Sequence, residues 1–188
     1  DGAFYGPKID FRVSDALKRK HQLGTIQLDF SMPERFGLEY TDSDNTPKRP
    51  VMVHRAVLGS LERFMGILIE HVAGAFPFWL APVQARIVPI KDVHVEYAKT
   101  FAAELRALGI RVDVDDRNES MGLKTREAQM AKIPYSLAAG DREIEAGSLA
   151  LRKYGEREMK VMTKAEIVEF FKQLNAVPDS VRAKIKHV

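Results

Sequence analysis

Pro50-Val-Met-Val-His-Arg-Ala-Val-Leu-Gly-Ser-Leu-Glu-Arg63-Phe64 changes its periodicity half-way along. Val51, Val53 and Val57 make the first half a β-branched apolar run, which predicts a strand. From Gly59-Ser60 onward, Leu61, Phe64, Met65, Leu68, Ile69 and Val72 recur at three- and four-residue steps, which predicts a helix with one apolar face. Ser60 suits the N-cap of that helix. Gly59 carries no Cβ and lets a flat ligand lie against the backbone at the strand-to-helix junction. Arg63, in the first turn, can present a planar, permanently charged fork to phosphate oxygens. A nucleotide site follows from that arrangement. A core strand and an amphipathic helix with an exposed arginine follow from the same residues.

Upstream, the chain predicts strands and turns. Ala3-Phe4-Tyr5 and Ile9-Asp-Phe-Arg-Val13 mix aromatic and β-branched residues around a Gly6-Pro7 turn signal. Asp15 to His21 is short, basic and without clear pattern, whereas Thr25-Ile-Gln-Leu-Asp-Phe30 alternates polar and apolar as a half-buried strand should. Glu34 to Arg49 is polar and broken by Pro47, which predicts a loop. On strand faces, Tyr5, Lys8, Gln22 and Gln27 are polar side chains of the kind any exposed sheet carries. A lone histidine in an apolar strand, as His54 is, is ordinarily a satisfied core residue, and His21, His71, His94 and His187 show no metal-ligand spacing.

Downstream, Phe76-Pro-Phe-Trp-Leu-Ala-Pro82 is aromatic and proline-punctuated, which suits a hinge between two domains or a buried loop. Strand and helix patterns then alternate. Val83 to Pro89 predicts a strand, and Val93 to Leu108 a helix with Val95, Ala98, Phe101, Ala102, Leu105 and Leu108 inward, ended by Gly109. Arg111 to Asp115 predicts a strand, Gly122 to Lys132 a basic helix, and Tyr135 to Ala139 a strand before a Gly140-Asp141 turn. Two further strands are expected, Glu143 to Glu145 and Ser148 to Tyr154, around Gly147. Thr163-Lys-Ala-Glu166 is a capping box for a last helix whose inward face is Ile167, Phe170, Phe171 and Leu174. Intervening helices argue for a parallel-dominated α/β sheet. Arg117-Asn118-Glu119 follows a strand end, where open α/β sheets place their ligands. Lys124, Arg126 and Lys132 share the basic helix and can add phosphate attraction or simply be a solvated face.

The bounds are wide. At 188 residues the chain can hold one large or two small domains, and a net charge of +3 does not announce a nucleic-acid binder. With no cysteine it makes no disulfide and no thiolate zinc cage of its own, which fits a reducing, cytoplasmic setting. No apolar run is long enough to span a bilayer, no signal-peptide pattern is present, and no membrane partner is expected.

A resemblance narrows these readings. Gly59-Ser-Leu-Glu-Arg63-Phe64 behind an apolar strand resembles motif 3 of the class II aminoacyl-tRNA synthetases. Gly2-Ala-Phe-Tyr-Gly-Pro-Lys8-Ile-Asp-Phe11, Gln22-Leu-Gly-Thr-Ile-Gln27-Leu-Asp29-Phe30 and Met52-Val-His54-Arg-Ala-Val-Leu-Gly59 complete an ordered set that resembles the threonyl-tRNA synthetase family, to about Asn175. The fold this implies is α/β: an α+β remnant of the class II antiparallel catalytic sheet, residues 1–78, followed by a mixed-sheet anticodon-binding domain, residues 82–178, and a flexible tail, residues 179–188. A chain opening inside a family motif reads as part of a longer protein.

The resemblance also distributes roles. Tyr5 and Gln27 would contact threonine, and Lys8 would stand near the reacting carboxylate and phosphate. Gln22, Gly59 and Ser60 would line the ATP pocket, and Arg63 would lie against adenine and triphosphate, with Mg2+ accompanying ATP. His54 would be one ligand of a catalytic Zn2+ whose other two ligands, a cysteine and a histidine, lie upstream; such a metal separates threonine from its near-isostere valine. Asn118, Arg126, Glu143 and Arg152 would read the unpaired anticodon bases of tRNA(Thr). Ser120 stands where some relatives carry a basic residue. A homodimer is implied for the full-length protein. Motifs 1 and 2 are not visible in the sequence, so the chain alone is expected neither to aminoacylate nor to hold zinc tightly. The rival reading is a non-catalytic synthetase-derived module that binds RNA or protein; a generic nucleotide-binding domain is disfavoured, since no phosphate-loop glycine pattern occurs.

Overall fold

The computed structural model describes residues 3–176. The chain divides into two compact units, Asp1–His71 and Val72–Val188. That division falls ahead of residue 78, and Phe78 of the aromatic, proline-rich stretch is buried in the core of the second unit. The tail expected from residue 179 lies outside the described residues.

In the first unit, β1 (Lys8–Ser14) and β2 (Lys20–Asp29) form a hairpin, and β5 (Met52–Ala56) pairs antiparallel with the other side of β2. Between β2 and β5 the polar segment expected to be a loop holds a short helix, α1 (Ser31–Arg35), and a two-residue hairpin, β3 (Tyr40–Thr41) with β4 (Pro47–Lys48). α2 (Leu61–His71) follows, and the Ser60 hydroxyl accepts from the Arg63 backbone N–H at 3.3 Å. The apolar stripe of α2 corrects the expected burial. Phe64, Ile67 and Leu68 are half-buried, while Leu61, Met65 and Ile69 are exposed. Periodicity gave the helix its phase; only the packed neighbours decide which part of the stripe is covered.

The second unit is a five-stranded sheet flanked by helices. β6 (Ala85–Pro89) lies beside β7 (Val112–Val114) and β8 (Tyr135–Ala139), parallel to both; β9 (Ser148–Lys153) and β10 (Lys160–Thr163) continue antiparallel beyond β8. The sheet is therefore mixed, as the family resemblance implies, and not parallel-dominated as the intervening helices alone argue. A 3-10 turn over Asp92–His94 leads into α3 (Val95–Ala107), α4 (Met121–Met130) joins β7 to β8, and α6 (Lys164–Asn175) closes the fold. Ala85, Ile87, Leu137, Leu149 and Leu151 of the sheet pack with Phe101 and Leu105 of α3 and Ile167 and Phe171 of α6. Leu108, expected inward, is exposed at the C-cap of α3, and Gly109 beyond it takes a φ of +77° as a helix-ending glycine does. Thr163 and Glu166 form the expected capping box.

In the second unit, two elements differ from expectation. Glu143 to Glu145 is not a strand but part of a short helix, α5 (Asp141–Glu145), whose first turn closes when Ile144 N–H donates to the Gly140 carbonyl at 3.0 Å. Asp141 and Glu143 favour that turn because acidic side chains suit a helix start. β10 was not anticipated. It is a four-residue edge strand with mostly exposed side chains, so it lacks the apolar alternation that marks a half-buried strand.

Candidate functional site

In the first unit the strand register gathers the candidate residues. Lys8 pairs with Gln27 and Gln27 with His54, so the three stand in one row across β1, β2 and β5; Asp10, Thr25 and Ala56 form the next row on the same face. The Tyr5 hydroxyl donates to Gln27 Oε1 at 3.3 Å. Asp10 joins two other candidates, taking the Gln22 amide at 2.8 Å and lying 3.1 Å from the Lys8 ammonium. Lys8 therefore faces the site with its charge already partly compensated. Tyr5, Gln27, Asp29, Met32 and His54 help line an open cleft of about 350 Å³.

Asp29 organises this face, a duty no motif announced. It is 4% exposed; Oδ1 accepts from Ser31 N–H and Met32 N–H at 2.9 Å each, and Oδ2 meets His54 Nε2 at 3.0 Å. The Met32 amide, then His54 and the Ser31 amide, hold its carboxyl below the usual range against the opposing effect of burial. His54 is left with Nδ1 to offer. A carboxylate on the far ring nitrogen is a common support for a metal-binding histidine. Among the described residues no group of three His, Cys, Asp or Glu side chains converges on His54.

Gly59 has a φ of +69°, and a Cβ built there would lie 3.1 Å from the Leu23 carbonyl oxygen and 3.5 Å from that of Gln22. Only glycine meets both demands. One helical turn on, Arg63 is exposed, and its guanidinium has no hydrogen bond or ion pair among the described residues. Ser60 is occupied as the helix cap.

In the second unit the candidates spread along the sheet. Asn118 is exposed in the bend after β7, and Glu143 lies on α5 just past the end of β8, so both stand at the C-terminal edge of the parallel strands. Arg152 pairs with Ser136, four residues before Gly140, which puts it about 13 Å along the sheet from that edge. Its Nε donates to the Glu156 carbonyl at 2.8 Å, and its terminal nitrogens are unbonded among the described residues. Arg126 is exposed on α4, away from the buried Lys124 and Ala128 that face the sheet. The structure thus brings Asn118 and Glu143 to one edge and leaves Arg126 and Arg152 elsewhere on the unit.

Other charges are already engaged. Arg117 holds Asp115 at 2.8 and 2.7 Å and also bonds Glu127, which keeps the Asp115 carboxyl below its usual range. Arg86 grips Asp113 with two nitrogens, the shorter contact 2.7 Å. Lys124 is 5% exposed, and Lys132 lies past the end of α4 with its ammonium on the Ala73 carbonyl. Neither forms the solvated basic face expected of that helix.

Two family models match this chain: the tRNA synthetase class II core domain (G, H, P, S and T) over residues 1–72, and the anticodon binding domain over residues 84–174. The chain is 55% identical over 169 residues to threonine–tRNA ligase of Desulforamulus reducens. It belongs to the threonyl-tRNA synthetase family. That alignment covers 90% of this chain and 27% of the relative's length; for threonine–tRNA ligase 2 of Bacillus subtilis the values are 55% identity, 84% and 25%. This member of the family thus spans about a quarter of its curated relatives. Among solved structures, the RNA binding domain of threonyl-tRNA synthetase from Cryptosporidium parvum is similar with a TM-score of 0.85 and 41% identity, covering 95% of this chain and 45% of that one. A threonyl-tRNA synthetase from Aeropyrum pernix described as putative follows, with a TM-score of 0.65 and 29% identity over 93% of this chain and 43% of that one. No helix among the described residues is long and apolar enough to cross a membrane.

Proposed function

We propose that this chain supplies the motif 3 edge of the aminoacylation site and the anticodon-reading unit of a cytoplasmic, homodimeric threonine–tRNA ligase acting on threonine, ATP and tRNA(Thr). The alignment of Lys8, Gln27 and His54 on one face, with Tyr5 bonded to Gln27, supports this reading most directly. An Arg63 fork that is unpaired among the described residues, one turn after a left-handed glycine, adds to it.

In the first step an oxygen of the threonine carboxylate attacks the α-phosphorus of ATP, the bond to the bridging oxygen breaks, and pyrophosphate leaves. Magnesium, when bound, would supply positive charge against the phosphates of ATP. Arg63 offsets the charge that moves toward the leaving group. Tyr5 donates to Gln27 Oε1, which turns the Gln27 amide N–H groups toward substrate. Lys8, held at Asp10, orients the carboxylate. In the second step a ribose hydroxyl at the tRNA end attacks the activated carbonyl and AMP leaves. His54, held at Nε2 by Asp29, would be one donor to a zinc ion, which would supply a Lewis acid for the threonine amino and hydroxyl groups. In the second unit, Asn118, Glu143, Arg126 and Arg152 contact unpaired bases and backbone of the anticodon loop.

The test uses the full-length ligase that carries this chain. Arg63→Ala should lower threonine-dependent ATP–pyrophosphate exchange by about 10²–10³-fold while tRNA affinity holds. Arg152→Ala should weaken tRNA binding about tenfold and leave exchange intact. If both substitutions impair the same step, this division of labour is wrong.

A further inference from the structure

Where β6 and β8 end side by side, the connection after β6 supports the start of α5 in two ways. His94 is 3% exposed; its Nδ1 accepts from the Lys91 backbone N–H at 3.2 Å. That bond requires a lone pair on Nδ1, so the ring proton sits on Nε2, which donates to Asp141 Oδ1 at 2.8 Å. The Lys91 ammonium takes the other oxygen of Asp141 at 2.6 Å. Together Lys91, first, and His94 hold the Asp141 carboxyl below its usual range. Ile90, from the same connection, lies against Gly140, the N-cap residue of α5. A Cβ added at Gly140 would come within 2.7 Å of both Ile90 Cδ1 and Glu143 Oε2, so the Glu143 carboxylate lies close over the end of β8.

Asp141 is the first residue of α5 and Glu143 the third. The Glu143 carboxylate has no hydrogen-bond partner among the described residues, so its direction depends on the helix that carries it. Lys91 and Asp141 are 60% and 58% exposed at their side chains, and an exposed ion pair alone fixes little. The buried imidazole differs. Moving it breaks two hydrogen bonds at once and leaves the Lys91 N–H unpaired.

We infer that His94 is a positioning residue for anticodon recognition: a neutral imidazole bonded at both nitrogens, it sets the start of α5 and thereby the place of Glu143 toward an unpaired base. The inference rests on the reading of Glu143 as a base contact and goes beyond it by naming what aims that contact.

The full-length ligase is compared as wild type, His94→Leu, His94→Gln, Asp141→Ala and Glu143→Ala. Aminoacylation is measured on tRNA(Thr) and on the same tRNA with one anticodon base replaced, beside ATP–pyrophosphate exchange and the thermal midpoint. Glutamine can accept from Lys91 N–H through Oε1 and donate to Asp141 through Nε2. The expected result is a loss of about tenfold in preference for the cognate anticodon in His94→Leu and in Asp141→Ala, carried by KM, with exchange unchanged. His94→Gln should stay within about twofold of wild type. Asp141 is exposed, so its variant tests the bond without opening the core, whatever His94→Leu does to folding. Wild-type discrimination in Asp141→Ala, or a His94→Gln as impaired as a folded His94→Leu, overturns the inference. Discrimination that survives Glu143→Ala overturns the reading of Glu143 beneath it instead.

Discussion

The two units of this chain organise their side chains on different terms. In the second, Ile87, Phe101, Leu105, Leu137, Ile167 and Phe171 are wholly withdrawn from solvent, and two of the candidate RNA contacts, Asn118 and Glu143, ride on the edge of a packed sheet. In the first, only Gly24, Asp29 and Pro33 among the described residues are fully buried, while Ile9, Phe11, Val53, Leu61 and Met65 stand exposed. A three-stranded sheet without a buried apolar layer draws little stability from the hydrophobic effect, which scales with apolar area removed from water. Its order comes instead from the register of β1, β2 and β5 and from polar links at Asp10, Asp29 and Gln27. The polarity of the candidate site and the stability of the core are thus kept apart in sequence.

The sharpest way to break this contrast is through the core of the second unit. Phe171→Ala removes a ring packed on Phe78, Tyr135 and Phe170 and should cost about 3–5 kcal/mol. The sole tryptophan, Trp79, lies beside Phe78 and reports the shift in urea midpoint by its fluorescence. A cost below about 1 kcal/mol would mean that this layer is not what holds the unit together. A middle-sized effect is expected at Asp29. Because its folded pKa is depressed, its contribution to stability is present above the ordinary carboxylate range and is lost as pH falls through the lowered value. Protection of the Ser31 and Met32 amides, taken relative to their intrinsic exchange rates, should therefore fall on acidification, and Asp29→Asn should remove that acid-dependent limb. Equal acid dependence in the variant would place the titrating group elsewhere. The smallest effect sharpens the contrast from the other side. Leu61→Ala, at a site 63% exposed, should change stability by less than about 0.5 kcal/mol, checked by amide exchange along α2. A cost like that of a core leucine would show that α2 is covered in solution.

Some of this was legible before any coordinates. Thr163 and Glu166 announced the start of α6 because a capping box is a local device, satisfied within one helical turn. Gly59, Ser60 and Arg63 were equally readable, since cap, bare glycine and fork lie within five consecutive residues. Asp29 was not singled out: its work depends on Ser31 and Met32 folding back and on His54 arriving 25 positions later. Lys124 looked like a solvated charge because α4 has no clear apolar stripe, so its phase against the sheet had no signal. Glu143 was placed on a strand because Glu143-Ile-Glu145 imitates alternation, yet three residues cannot distinguish that period from a helical turn.

Sequence alone determined most of the longer strands and helices, the caps, and the residue types able to hold phosphate, threonine or a base, because each is written in neighbours a few positions apart. Tertiary structure decided which of them meet: Lys8 with Gln27 and His54 through strand register, Tyr5 with Gln27, and His94 with Asp141 across 47 positions. Register and sheet order depend on pairing between distant segments, and no local pattern carries the free energy of those pairings.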